Sequence, residues 1–236
     1  MQWNKVPKKG IFLRRYKRFF ADVEIDGKVE VAHVANTGSL KSVIEEGREA
    51  LLWPSDNPER KLKWSLFALR APDGNGWMGI DTALPNKIVE ETFLEKRNTD
   101  WLQFNRFERE KKVDSKTRLD GLFWKDNKPV RYLEIKNVSL RENDRVLFPD
   151  AVTERGLKHI ETLVKLMKDG FEAELCFVIQ RLDCKSFAPA WEIDPDYSIA
   201  LEKASKQGLV IHAWTVKISE AAAEWTGQEL PIHWAK

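Results

Sequence analysis

Apolar and polar positions alternate in short runs through the first eighty residues. A period of two predicts strands at Phe12–Phe20, Ala21–Ile25, Val29–Val34, Ala50–Trp53, Leu62–Leu69 and Trp77–Ile80. Asp26-Gly27 stands between alternating apolar positions, a strong hairpin signal. Asn36, Gly38, Gly47, Pro54 and the stretch Pro72–Gly76 punctuate the rest. Several short strands in so little chain predict a small all-β barrel, with the oligonucleotide-binding (OB) type as the natural candidate. A small barrel with no nucleic-acid role would show the same pattern.

From Pro85 the spacing lengthens. Ile88, Val89 and Phe93, with acidic residues between them, predict a helix over Asn86–Arg97. Ile160, Leu163, Val164 and Met167 form one stripe of a second helix, Val152–Lys168, stopped by Gly170. A third helix is predicted over Pro195–Gln207, ahead of Gly208. Leu175–Ile179 is continuously apolar, as in a strand covered on both faces, and Leu209–Ile218 reads as another strand. Two further strands, Arg-Leu-Asp-Gly-Leu-Phe-Trp and Val-Arg-Tyr-Leu-Glu-Ile-Lys-Asn-Val, lie between Arg118 and Val138 around a polar turn. The chain thus divides into residues 1–84, a β-barrel, and residues 85–236, an α/β domain.

Composition narrows the class. Hydrophobic residues make up 42% and charged residues 32% of 236, which suits a folded globular chain and excludes a disordered one. No apolar run reaches the ~20 residues of a membrane span, and the N-terminus lacks the apolar core of a secretion signal. Two cysteines, Cys176 and Cys184, make no disulfide framework, so a reduced cytoplasmic setting is expected. Residues 1–70 carry 14 Lys/Arg and 9 Asp/Glu, whereas the remainder carries 25 and 28. A basic N-terminal region before an acidic one suits a polyanion gripped by one part and processed by the other.

Three clusters can carry chemistry. Arg14, Arg15, Tyr16, Lys17 and Arg18 interleave cations with a ring, as do Lys61, Lys63 and Trp64; cations neutralise phosphates and rings stack on bases. Rings packed in the core with solubilising cations would read the same way. Asp120, Glu134 and Lys136 form the third cluster. Residues two apart on a strand share a face, so Glu134 and Lys136 project together, and a hairpin brings Asp120 to them. Two carboxylates hold a hard divalent cation such as Mg²⁺ or Mn²⁺, and a Lys beside them orients water or neutralises phosphate. The preceding helix offers Glu91 or Glu95 as a further ligand, and solvated helix residues would read the same way. Arg118 precedes the Asp. Arg155 and His159 lie in the first turns of the second helix, where backbone N–H groups favour anions. His159 is either catalytic or a packed, hydrogen-bonded core residue. Gln180 ends the apolar strand, where sheet-edge sites gather or a structural cap sits. Neither a Walker A loop, a G-x-G-x-x-G loop, a zinc spacing nor a G-x-S-x-G elbow occurs.

The ordered stretches R-Y-K-R-F-F-A-D-V, A-N-T-G-S-L, W-P-S-D-N-P-E-R-K-L-K-W, T-A-L-P-N, T-R-L-D, Y-L-E-I-K-N-V-S-L and F-P-D-A-V-T-E-R-G-L-K-H resemble the sugar fermentation stimulation protein (SfsA) family along nearly the whole chain. The resemblance implies an N-terminal OB-like domain and a C-terminal α/β domain of PD-(D/E)xK nuclease type. It also implies DNA binding and a regulatory link to sugar (maltose) metabolism. Asp120, Glu134 and Lys136 match the family's acidic residue and E-x-K. Gly121 stands where a Phe is usual. Two readings follow: a DNA-binding regulator that uses a nuclease-like fold as a platform, and an active Mg²⁺- or Mn²⁺-dependent nuclease. A homodimer would suit a duplex-binding protein.

Overall fold

The computed structural model describes residues 1–115 and 117–235. Its strands begin with β1 (Lys8–Tyr16), β2 (Phe20–Ile25), β3 (Lys28–Val34), β4 (Glu49–Pro54), β5 (Trp64–Arg70) and β6 (Trp77–Gly79). Helix α1 (Leu84–Leu94) and a 3₁₀ turn (Thr99–Trp101) follow. Next come β7 (Arg106–Lys112), β8 (Arg118–Lys125), β9 (Lys128–Val138), β10 (Leu140–Glu142), β11 (Arg145–Phe148) and α2 (Glu154–Lys168). The chain ends with β12 (Glu172–Ile179), β13 (Ser186–Pro189), α3 (Pro195–Lys206), β14 (Val210–Ile218) and β15 (Ala223–Glu229).

Strands β1 to β5 close into a five-stranded barrel in the order β1-β2-β3-β5-β4-β1, with β3 and β5 parallel. This is the expected OB barrel. Phe12, Val23, Val34, Leu52 and Leu66 fill its interior. Asp26 and Gly27 both have positive φ, as the hairpin signal required.

The second part is a mixed α/β domain. Its sheet runs β6-β14-β12-β9-β8-β7, with β12 parallel to both β9 and β14 and the β7-β8-β9 meander antiparallel. Helix α1 covers one face, over Phe123, Leu133, Ile135 and Val178. Helices α2 and α3 cover the other, over Val138, Leu175, Phe177 and Ile179. Strand β12 is buried on both faces, which explains its unbroken apolar run. Thr153 caps α2 through the Gly156 N–H, and Asp194 caps α3 through the Tyr197 N–H. Among the described residues no helix is long and apolar enough to cross a membrane.

The structure adds to and departs from the sequence reading in several places. The basic run is not one strand. Lys17 and Arg18 adopt φ of 48° and 63°, and Tyr16 pairs with Phe20, so these residues form the β1–β2 turn. The strands β7, β10, β11, β13 and β15 were not expected. β7 reads Arg-Phe-Glu-Arg-Glu-Lys-Lys because it is the sheet's edge, where charge is the usual protection against pairing with other chains. Gly121 is a packed position in its strand. The Phe107 ring from β7 covers it, and a Cβ there would lie 2.2 Å from that ring. The two halves are also continuous through β6, which pairs with β5 of the barrel and with β14 of the α/β sheet.

Candidate metal and nucleic-acid site

The β8–β9 hairpin turns at Asp126 and Asn127, both at positive φ (49° and 62°). That turn sets the register Gly121 to Leu133, which brings Asp120 beside Glu134. Alternation along β9 sends Leu133 and Ile135 into the α1-side core. Glu134 and Lys136 therefore face α2. Asp120 does more than project from its strand. Its Oδ2 accepts the backbone N–H of Ile135 at 2.8 Å, and its Oδ1 accepts the Asn86 side-chain amide at 2.8 Å.

Glu134 is 3% exposed. Its Oε1 accepts Lys136 Nζ at 2.6 Å and also meets His159 Nδ1 from α2. Its Oε2 is buried and has no hydrogen-bond partner among the described residues. Burial works to raise the Glu134 carboxyl, but the His159 hydrogen bond and the Lys136 charge hold it below its ordinary value. Asp120 goes the other way. Burial and then the neighbouring Glu134 charge push it up, against the Ile135 N–H, Asn86 and Lys136. A buried and a half-buried carboxylate thus repel each other while an oxygen of the buried one stands unsatisfied. An orphaned oxygen beside a second carboxylate is what a hard cation would complete, so the residues present fit Mg²⁺ or Mn²⁺. Among the described residues no group of three or more His, Cys, Asp or Glu is placed to hold a metal.

Arg118, Arg155, Lys158 and His159 line a cleft of about 400 Å³ with Thr117 and Glu154. His159 belongs to both the cleft and the carboxylate cluster, so the cations lead to Glu134. Arg118 also pairs with Glu110 at 2.8 Å.

Other candidates are placed elsewhere. Glu91 pairs with the N-terminal amine at 2.6 Å and with Arg97 at 2.9 Å, and Glu95 also pairs with Arg97. The same amine donates to Ala223 of β15, so Glu91 faces the β14–β15 side of the sheet, away from β8. It is not brought to Asp120; Asn86 is the α1 residue that arrives there. Gln180 binds Asn137 Oδ1 at 2.6 Å and the Asp81 carbonyl at 3.1 Å, joining β12 to β9 and to the segment after the barrel. Arg15 spends its guanidinium on the carbonyls of Arg18, Asn36, Gly38 and Ser39. Asp150 accepts the Ser39 N–H at 2.8 Å from the other side of that loop, clamping barrel to α/β domain. Arg14 pairs with Asp22 at 2.7 Å and lies 5.5 Å from the centre of the Tyr16 ring, which stacks on Phe20. Lys17, Arg18, Lys61 and Lys63 are exposed, and Trp64 is partly packed against the barrel core. Asn86 carried no sequence signal beyond its place at the helix start and in the stretch T-A-L-P-N.

Two family models match the chain: "SfsA N-terminal OB domain" over residues 13–80 and "Sugar fermentation stimulation protein RE domain" over residues 83–222. A sugar fermentation stimulation protein homolog of Bdellovibrio bacteriovorus is 43% identical over 242 residues, covering 98% of this chain and 99% of that one. A homolog from Clostridium perfringens strain SM101 is 39% identical over 224 residues, covering 95% and 96%. A solved structure of Pyrococcus furiosus SfsA in complex with Ca²⁺ is 28% identical, with a TM-score of 0.87 over 99% of this chain and 98% of that one.

Proposed function

The chain belongs to the sugar fermentation stimulation protein family, and on that premise we propose that it is a DNA-binding protein whose nuclease-like domain hydrolyses phosphodiesters with a divalent cation. The observation that carries this reading is the unsatisfied, buried Glu134 Oε2 beside the Asp120 carboxylate. Asp120 and Glu134 are the residues that would hold Mg²⁺ or Mn²⁺, with the Ile135 carbonyl as the further donor the family motif implies. The archaeal relative solved with Ca²⁺, another cation that takes oxygen ligands, supports this. When bound, the cation supplies charge to offset the negative charge that develops as a phosphodiester is attacked.

The chain's own residues supply the rest. Arg118, Arg155 and Lys158 bind the phosphate in the cleft and present the next one to Glu134. Lys136 Nζ, 2.6 Å from Glu134 Oε1, orients the attacking water and neutralises the phosphoryl oxygen. His159 holds Glu134 in place through Nδ1, and Glu134 in turn holds Lys136.

A second reading is a regulator of sugar metabolism that binds DNA through a cation bridge without cutting it. The engagement of Lys136 by Glu134 favours it, since a tied-down ammonium has less freedom to assist a water. Incubating the full chain with single- and double-stranded DNA, with and without Mg²⁺ or Mn²⁺, separates the two. Metal-dependent cleavage that Lys136→Ala abolishes is expected. Metal-dependent binding with no cleavage across many substrates would leave the regulator.

A further inference from the structure

A second cavity lies away from the carboxylates. It holds about 760 Å³, within the range of small-ligand sites, and opens between the N-terminal segment, the β4–β5 connection and the start of α1. Its aromatic wall is Trp3 and Trp53. Trp53 is half-buried and stacked on Phe67, with ring centres 4.1 Å apart and planes 7° from parallel. Trp3 meets both rings edge-on and is fixed by its Nε1 donating to the Ser219 carbonyl at 2.9 Å. The indole platform is therefore rigid before any ligand arrives.

The polar wall is cationic. Lys5, Arg60, Lys87 and the N-terminal amine line it, with Asp56 as the carboxylate. Asp56 is taken by Lys5, and the amine by Glu91. Arg60 donates to Ser65 Oγ at 3.0 Å, and neither Arg60 nor Lys87 has a carboxylate partner among the described residues. Unneutralised cations facing a fixed indole select a ligand with a flat π-face and a phosphate.

The cavity also shares an element with the carboxylate site. Leu84 and Lys87 line it from the first turn of α1, while Asn86 on the same turn bonds Asp120. We propose that the cavity is a subsite for one unpaired nucleotide of a single-stranded nucleic acid, its base against Trp53 and its phosphate against Arg60 and Lys87. A paired base keeps its face inside the duplex stack and cannot enter. The subsite therefore gives the protein a preference for single strands or frayed ends. This deepens the proposed DNA role and rests on it.

The test is equilibrium binding of the full chain, without metal, to three labelled DNAs. These are an oligo-dT strand, the same strand carrying consecutive abasic sites, and a blunt duplex. The wild type is compared with Arg60→Glu/Lys87→Glu and with Trp53→Leu. Circular dichroism melts check that each variant folds, and the double charge variant, with both changes outside the core, stands in if Trp53→Leu does not. The expected result is binding of oligo-dT that weakens about tenfold or more for the abasic strand and for the charge variant, with duplex binding unchanged. Equal affinity for all three DNAs, or for wild type and charge variant, overturns the subsite while DNA binding stands. Absence of binding to any of the DNAs overturns the DNA role and the subsite with it.

Discussion

The Asn86 side-chain amide donates to Asp120 Oδ1 at 2.8 Å, across 34 residues of sequence, so the first turn of α1 fixes a carboxylate of the β8–β9 hairpin. With the Ile135 N–H on Oδ2, both oxygens of Asp120 are oriented before a cation arrives. Replacing Asn86 by Ala should weaken Mn²⁺ binding by about tenfold or more, the usual effect of losing an outer hydrogen bond to a metal ligand. Calorimetric titration reads this directly. An unchanged affinity in a folded Asn86→Ala protein would show that the amide only caps the hairpin.

Asp120→Asn should abolish Mn²⁺ binding without lowering the melting temperature of the metal-free protein. Asp120 is held above its ordinary range by burial and by the Glu134 charge. The native state therefore keeps this proton more tightly than the unfolded chain does. Stability present at low pH is lost as pH rises through the native titration of Asp120. The wild type should thus lose stability relative to Asp120→Asn as pH rises from acid to neutral, and Mn²⁺ should restore it in the wild type alone. Melts of both proteins across pH, with and without Mn²⁺, give the comparison; a variant that melts well below the metal-free wild type at neutral pH contradicts the repulsion.

Gly38 leaves room for the clamp between barrel and α/β domain. A Cβ there would stand 2.2 Å from Asp150 Oδ2, the oxygen that accepts the Ser39 N–H. Gly38→Ala should cost about 1–3 kcal/mol, as overpacking does. Asp150→Ala should also destabilise, but the double variant should lose less than the two losses combined, because one change removes the atom the other strikes. Urea melts of the four proteins test this, and full additivity would place the strain elsewhere.

Arg131 and Glu174 form a buried pair at 3.0 Å, completed by Trp101 Nε1 at 3.2 Å from the same carboxylate. Arg131→Met leaves that charge unpaired and should cost about 3–5 kcal/mol. Arg131→Met with Glu174→Met should recover much of the loss. Denaturant melts decide, and a single variant as stable as the wild type would show that Glu174 is held neutral.

The carboxylates and Lys136 were legible because strand alternation and a two-residue turn are local facts. Glu-x-Lys shares a face whatever surrounds it, and Asp-Asn is chemically suited to two positive φ angles. Lys17 and Arg18 were not legible as a turn, since neither side chain favours positive φ and tertiary pairing of Tyr16 with Phe20 imposes it. Asn86 and Glu91 sit on one helix, and its sequence does not say which side meets the hairpin. The N-terminal amine settles that by drawing Glu91 away, and no local pattern announces where a chain end will dock. The Arg15 clamp was hidden for a similar reason: a guanidinium bound to four backbone carbonyls looks, in sequence, like one ready for phosphate.

Strand β6 spans what the sequence divides at Pro85, pairing with β5 on one side and β14 on the other. The connection between barrel and carboxylates is thus a hydrogen-bonded ladder rather than a tether. Such a joint works as a ruler. On the proposed function, a strand gripped by the barrel would meet Asp120 and Glu134 at a fixed offset, and contacts and cuts would fall at a constant phase from the gripped nucleotide.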